Sequence, residues 1–207
     1  MKPYEIEKES FKLIEHEAGV HGFPPDQWSI VRRMIHTTAD FDYIHTVRFH
    51  PEAIQAGIDA IRQGKNIITD TEMAMAGIRK AELEPFGTTV VCFINHPGVM
   101  YQSKQMGITR AATAVEHAIS LMEDGIYAIG NAPTALFRLL ELMEQGLCVP
   151  PALVIGLPVG FVNAAESKAA LMKLDRPFIS NVGRKGGSNV AAGVVNALIK
   201  LALKEAV

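Results

Sequence analysis

The chain has 207 residues, 48% of them hydrophobic and 20% charged, which allows one well-buried core and excludes general disorder. A formal net charge of -2 gives no electrostatic reason to bind nucleic acid. Only two cysteines occur, Cys92 and Cys148, so neither a disulfide framework nor a zinc-ligand set is available, and their apolar neighbours mark both as core residues.

The charged N-terminal stretch 1–10 contains no secretory signal, and no apolar run approaches the roughly 20 residues that span a bilayer, so a cytoplasmic protein with no membrane partner is expected. Helical periodicity runs over 5–17 and 26–37. The segment 44–49 alternates polar and apolar residues and could add an edge strand. Helical spacing returns over 51–63, before β-branched strands at 66–69 and 89–94. From there helices at 108–122, 133–145, 164–173 and 190–204 alternate with strands at 126–129, 153–155 and 178–182. Strands separated by helices predict an α/β fold: a single domain over 1–207, three layers deep, with a mostly parallel sheet covered by helices on both faces.

Several strands end in polar or glycine-rich turns: Asp70-Thr71-Glu72, Asn95-His96-Pro97-Gly98, Gly130-Asn131-Ala132-Pro133, Gly156 to Gly160, and Gly183 to Ser188. In an open parallel sheet these turns gather along the carboxyl edge, where ligands bind and helix-start amides suit anionic groups. No dinucleotide or phosphate-loop fingerprint is present, which weakens a nucleotide-dependent oxidoreductase reading. Gly-Leu-Pro-Val-Gly at 156–160 also lacks the serine of a nucleophile elbow.

In the helix 26–37, Trp28, Val31 and Ile35 share a face that should be buried, while Arg32, Arg33 and His36 share another. That second face is either a solvated basic surface at a helix end or two cations flanking a titratable imidazole. The helix terminus favours imidazolium and the arginines disfavour it, so an acidic ligand would tip His36 toward its protonated form. Arg110 opens a helix, where a cation sits badly with the macrodipole; an anionic partner or an idle exposed side chain both account for it. The remaining histidines show no metal-ligand spacing, since His16 and His21, and likewise His45 and His50, are five apart rather than four. Ser10, in an amphipathic first helix, is unremarkable on spacing alone.

Taken together, Val31 to His36, Asp70 to Met73, Ile129 to Leu136, Gly156 to Val162, Ala164 to Lys168 and Gly183 to Ser188 resemble the precorrin-8X methylmutase family of cobalamin biosynthesis, in order and along nearly the whole chain. The resemblance implies an isomerase that moves a methyl group from carbon 11 to carbon 12 of a carboxylated corrinoid. It also implies a homodimer with the site at its interface. It assigns His36 as the proton donor and acceptor, Ser10 and Arg33 as substrate contacts, and Arg110 as a further one. No cofactor or protein-bound metal is implied; any cobalt belongs to the substrate. After His36 the chain has Thr37-Thr38-Ala39-Asp40-Phe41 where other members resemble His-Ala-Cys-Gly, a form similar to the branch whose ring already carries cobalt. The methionines at 73 and 75 could floor a flat ring, although ordinary core is the simpler expectation. A non-catalytic corrinoid carrier would use the same arginines and loops, and differs in yielding no new isomer.

Overall fold

A computed structural model describes residues 3–204. Two helices open the chain, α1 (Pro3–Ala18) and α2 (Pro25–Thr38). Pro25 pre-sets the first turn of α2, and Ala39 ends it in a left-handed conformation, its amide donating back to the Ile35 carbonyl. The buried face of α2 contains Trp28, Val31 and Ile35, as their spacing predicts. Trp28 stacks on His21 at 3.7 Å between ring centroids and donates its Nε1 proton to Glu15. Burial of such a side chain contributes roughly 2–3 kcal/mol.

The segment 44–49 is only half a strand. Its first part closes a short helix, α3 (Tyr43–Thr46), because the Asp42 carbonyl accepts both the Thr46 amide and hydroxyl. The remainder is β1 (Val47–Phe49), antiparallel to the last strand with Val47 opposite Asn181. Then follow α4 (Ala53–Arg62), β2 (Ile67–Thr69), α5 (Glu72–Gly77), β3 (Val90–Cys92), α6 (Pro97–Met106), α7 (Arg110–Ala118) and β4 (Ile126–Ile129). The chain closes with α8 (Pro133–Glu144), β5 (Leu153–Gly156), α9 (Ala164–Leu171), β6 (Phe178–Asn181) and α10 (Ser188–Lys204). Periodicity over 108–122 marks α7 plus a 3-10 turn at Ile119–Leu121 rather than one helix. The helices α5 and α6 have no long apolar stripe; side-chain caps define them, Thr71 accepting from the Ala74 amide and His96 Nδ1 from the Gly98 amide.

The sheet order is β1-β6-β5-β4-β2-β3, parallel except for β1. From β2 the chain steps outward to β3, then crosses back to β4 on the other side of β2 and continues through β5 to β6. The direction therefore reverses between β2 and β4, and a crevice opens beyond their carboxyl ends. Alternating residues feed two cores. Ile67, Ala128, Ile155 and Ile179 face α2, α4 and α10, whereas Ile68, Tyr127, Ile129, Val154 and Phe178 face α7 and α8. The mostly apolar α10 is buried along most of its length and packs on α2, α4 and α5.

Two core expectations need correction. Cys92 and Cys148 are half-buried free thiols rather than core residues, because β3 is an edge strand and Cys148 lies in the connection after α8. Met73 is 70% exposed and Met75 half-buried, since in the two-turn helix α5 Ala74, rather than either methionine, is the buried residue.

Candidate active site

The contact face of α1 is written at four-residue spacing: Glu7, Phe11 and Glu15 all meet α2. Glu15 Oε2 accepts from Trp28 and from Arg32 Nη1 at 3.2 Å. Glu7 Oε1 accepts from Arg33 Nη1 at 2.7 Å and from Arg79 Nη2 at 3.2 Å. Between these ion pairs lies the Phe11 ring, with the Arg32 guanidinium 4.4 Å and that of Arg33 4.8 Å from its centroid.

His36 occupies the next turn of α2 beyond Arg33. Its imidazole is half-buried and meets the Phe11 ring edge-on, 5.3 Å between centroids. Burial, then the charges of Arg33 and Arg79, hold its pKa below the ordinary 6.5, against an opposing pull from Glu7. Burial also pushes Glu7 upward, but the hydrogen bonds and charges of Arg33 and Arg79 outweigh it and keep that carboxyl below its usual range. Arg33 is only 8% exposed, so the solvated-surface reading does not hold for it. Spacing alone pairs Arg32 with Arg33 as the two cations at His36. The tertiary structure turns Arg32 toward Glu15 and supplies Arg79 in its place.

A cavity of about 610 Å³ opens between α1, α2 and α10, with Phe11, Arg32 and Arg33 on one side and Lys200 and Lys204 on the other. Ser10 is the neighbour of Phe11 on α1 and donates its hydroxyl to the Ile6 carbonyl at 2.9 Å. Arg110 stands elsewhere. It is the first residue of α7, exposed, behind an N-cap in which Thr109 accepts from the Ala112 amide. It lines a cavity of about 450 Å³ at the crevice between β2 and β4, with Asp70, Thr71, Glu72, Asn95 and Asn131. Within one chain, then, Arg33 and His36 are brought together beside Phe11, and Arg110 belongs to a separate cavity.

Sequence reasoning placed Asp70 in a strand-end turn but gave it no role of its own. It is 2% exposed, and its carboxylate accepts the amides of Gly130, Asn131 and Ala132 at 3.0, 2.8 and 2.8 Å. Burial pushes its pKa up while these amides pull it back. The turn after β4 therefore does not offer free amides to an anionic ligand; the protein's own carboxylate takes them. Gly130 is needed there, because a Cβ would sit 2.6 Å from the Ser188 Cα and 2.7 Å from the Gly187 carbonyl oxygen. An acid directly after the short strand Ile67–Thr69 was the available signal. The turns after β2, β5 and β6 are knitted together: Thr71 and Ser188 hydroxyls meet at 2.8 Å, and the Gly187 amide donates to the Leu157 carbonyl. On that edge Phe161 stands 86% exposed with the Arg184 guanidinium 5.5 Å from its ring centroid. Among the described residues, no group of three or more His, Cys, Asp or Glu side chains is placed to hold a metal ion, and no helix is long and apolar enough to cross a membrane.

Comparison with known proteins completes the picture. A family model described as precorrin-8X methylmutase matches residues 5–201. A protein of Priestia megaterium named cobalt-precorrin-8 methylmutase is 48% identical over 98% of this chain and 89% of its own length. One of the same name from Salmonella typhimurium is 44% identical over 96% of this chain and 95% of its own length. A crystal structure of precorrin-8x methyl mutase from Thermus thermophilus superposes with a TM-score of 0.92 at 45% identity, covering 99% of this chain and 98% of that one.

Proposed function

Because the chain belongs to the precorrin-8X methylmutase family, we propose that it is the isomerase that moves a methyl group from carbon 11 to carbon 12 of precorrin-8, with His36 as proton donor and acceptor. The observation that carries the assignment of His36 is its setting: a half-buried imidazole whose pKa is lowered by burial and Arg33, at the edge of Phe11. Such a group is neutral in the free protein. A polycarboxylate settling near Arg33 and Arg79 offsets their charge, raises the imidazole pKa and loads it with a proton.

His36 then lends that proton to the conjugated ring, the methyl migrates within the ring, and the proton is returned. The formula is unchanged, and the chemistry needs neither a nucleophile on the protein nor a resident cofactor. Arg33, Ser10 and Arg110 hold side-chain carboxylates and so fix the ring relative to the imidazole. Arg110 reaches a given His36 from the second chain of a homodimer, consistent with its separate cavity within one chain. The cobalt-carrying ring is the preferred substrate reading, supported by the names of the relatives at 48% and 44% identity and by Thr37-Thr38-Ala39-Asp40 after the histidine. The metal travels with the substrate.

The test is His36→Ala, followed by the change in the ring's visible spectrum and by isomer analysis after extraction. The expected result is loss of turnover with the fold and corrinoid binding retained. Undiminished turnover in a folded variant rejects the assignment of His36, and wild-type protein that binds without isomerising rejects the isomerase.

A further inference from the structure

Lys168 is a fully buried amine on α9. Among the described residues it has no carboxylate partner. Its Nζ donates instead to the Lys185 carbonyl at 2.6 Å and to Asn181 Oδ1 at 3.1 Å, and Asn181 Nδ2 donates to the same Lys185 carbonyl at 3.0 Å. A buried ammonium without a counter-charge is costly, and a methionine would fill a similar volume without that cost. Packing alone does not account for a lysine here.

What the amine holds is the backbone of the turn between β6 and α10. That turn has little freedom on its other side, since a Cβ at Gly186 would collide with the Leu157 carbonyl and the Gly160 amide donates to the Arg184 carbonyl. From the fixed backbone the Lys185 side chain reaches outward, its Nζ 2.6 Å from both Asp40 Oδ2 and Asp42 Oδ2. Asp40 lies just beyond Ala39, the C-cap of α2, four residues after His36. A line of direct contacts thus runs from the buried amine to the end of the His36 helix.

We propose that Lys168 is a positioning residue for His36: it fixes the backbone at Lys185, and Lys185 holds the turn that ends α2. The proposal rests on the isomerase reading of His36. Steady-state kinetics with cobalt-precorrin-8 on the full chain test it. Lys168→Met should lower kcat by about tenfold with KM little changed, since a misplacement of under 1 Å at a reacting group has that scale of effect. The His36 ring resonances should shift, while circular dichroism stays that of the wild type. Lys185→Met, at the exposed end of the line, should lower kcat by a similar factor, and the double variant should be no worse than either single one.

Wild-type kcat in a folded Lys168→Met variant overturns the proposal, as does wild-type kcat in Lys185→Met. Losses that multiply in the double variant, or a Lys185→Met effect confined to KM, also overturn it. Should Lys168→Met fail to fold, Lys185→Met and the pair Asp40→Asn with Asp42→Asn decide the matter through kcat alone. Wild-type protein that produces no isomer refutes the isomerase reading instead, so the two failures are distinct.

Discussion

His36 shows how far one residue's behaviour depends on neighbours that are distant in sequence. Its lowered pKa comes first from burial and then from Arg33, with Glu7 and Arg79 pulling in opposite directions. An NMR titration should therefore place the free-protein imidazole below 6.5, and a bound corrinoid polycarboxylate should move it upward. The stability sign follows: the unfolded chain takes up this proton at higher pH than the folded one, so the contribution of His36 is retained above 6.5 and lost as the pH falls through the folded value. Arg33→Met removes a cation while leaving Glu7, so the His36 pKa should rise. Breaking the largely buried Arg33–Glu7 pair should cost about 1–2 kcal/mol in urea unfolding, because Arg79 still satisfies Glu7. The arginine beside the histidine was legible in the helical spacing. Glu7 and Phe11 were not, because nothing local says which face of α1 meets α2.

Among the elements, the strand ends carry the architecture. Asp70 ties β2 to the start of α8 through three amides, so Asp70→Asn leaves a donor facing donors; a loss of about 2–3 kcal/mol is expected, visible as a lower urea midpoint with unchanged slope. The clamp between α9 and β6 gives a pH dependence of the same sign as ordinary acid loss, but in the alkaline range. Burial brings the Lys168 pKa down to about 8 from an ordinary 10.5. The unfolded chain therefore holds the proton where the folded one has released it, and stability should rise with pH above 8, by about 1.4 kcal/mol per pH unit, until 10.5. Lys168→Met should abolish that slope. Long periodic helices such as α2, α8 and α10 were legible in the sequence. The short α5 and α6 were not, since six to ten residues with a single cap contain little periodic signal.

At the scale of the whole molecule, the two arginines assigned to the substrate sit in different cavities of one chain. A shared site in a homodimer predicts complementation. His36→Ala and Arg110→Ala, each nearly inactive alone, should recover roughly a quarter of wild-type activity when unfolded together and refolded as mixed dimers, since half the dimers would hold one intact site of two. No recovery, with mixed dimers demonstrated by mass, counts against Arg110 acting across the interface.

By itself the sequence determined the layered α/β class, the parallel sheet and the histidine on its arginine-bearing helix. Apolar period and strand-ending turns are local properties that need no partner to be read. Tertiary structure alone decided that Arg79 rather than Arg32 joins Arg33 at His36, that Asp70 takes the amides of the turn after β4, and that Lys168 is buried without a carboxylate among the described residues. Each depends on which segments meet in space, and the energies involved (ion pairs, desolvation, backbone amides left with one acceptor) exist only once they do.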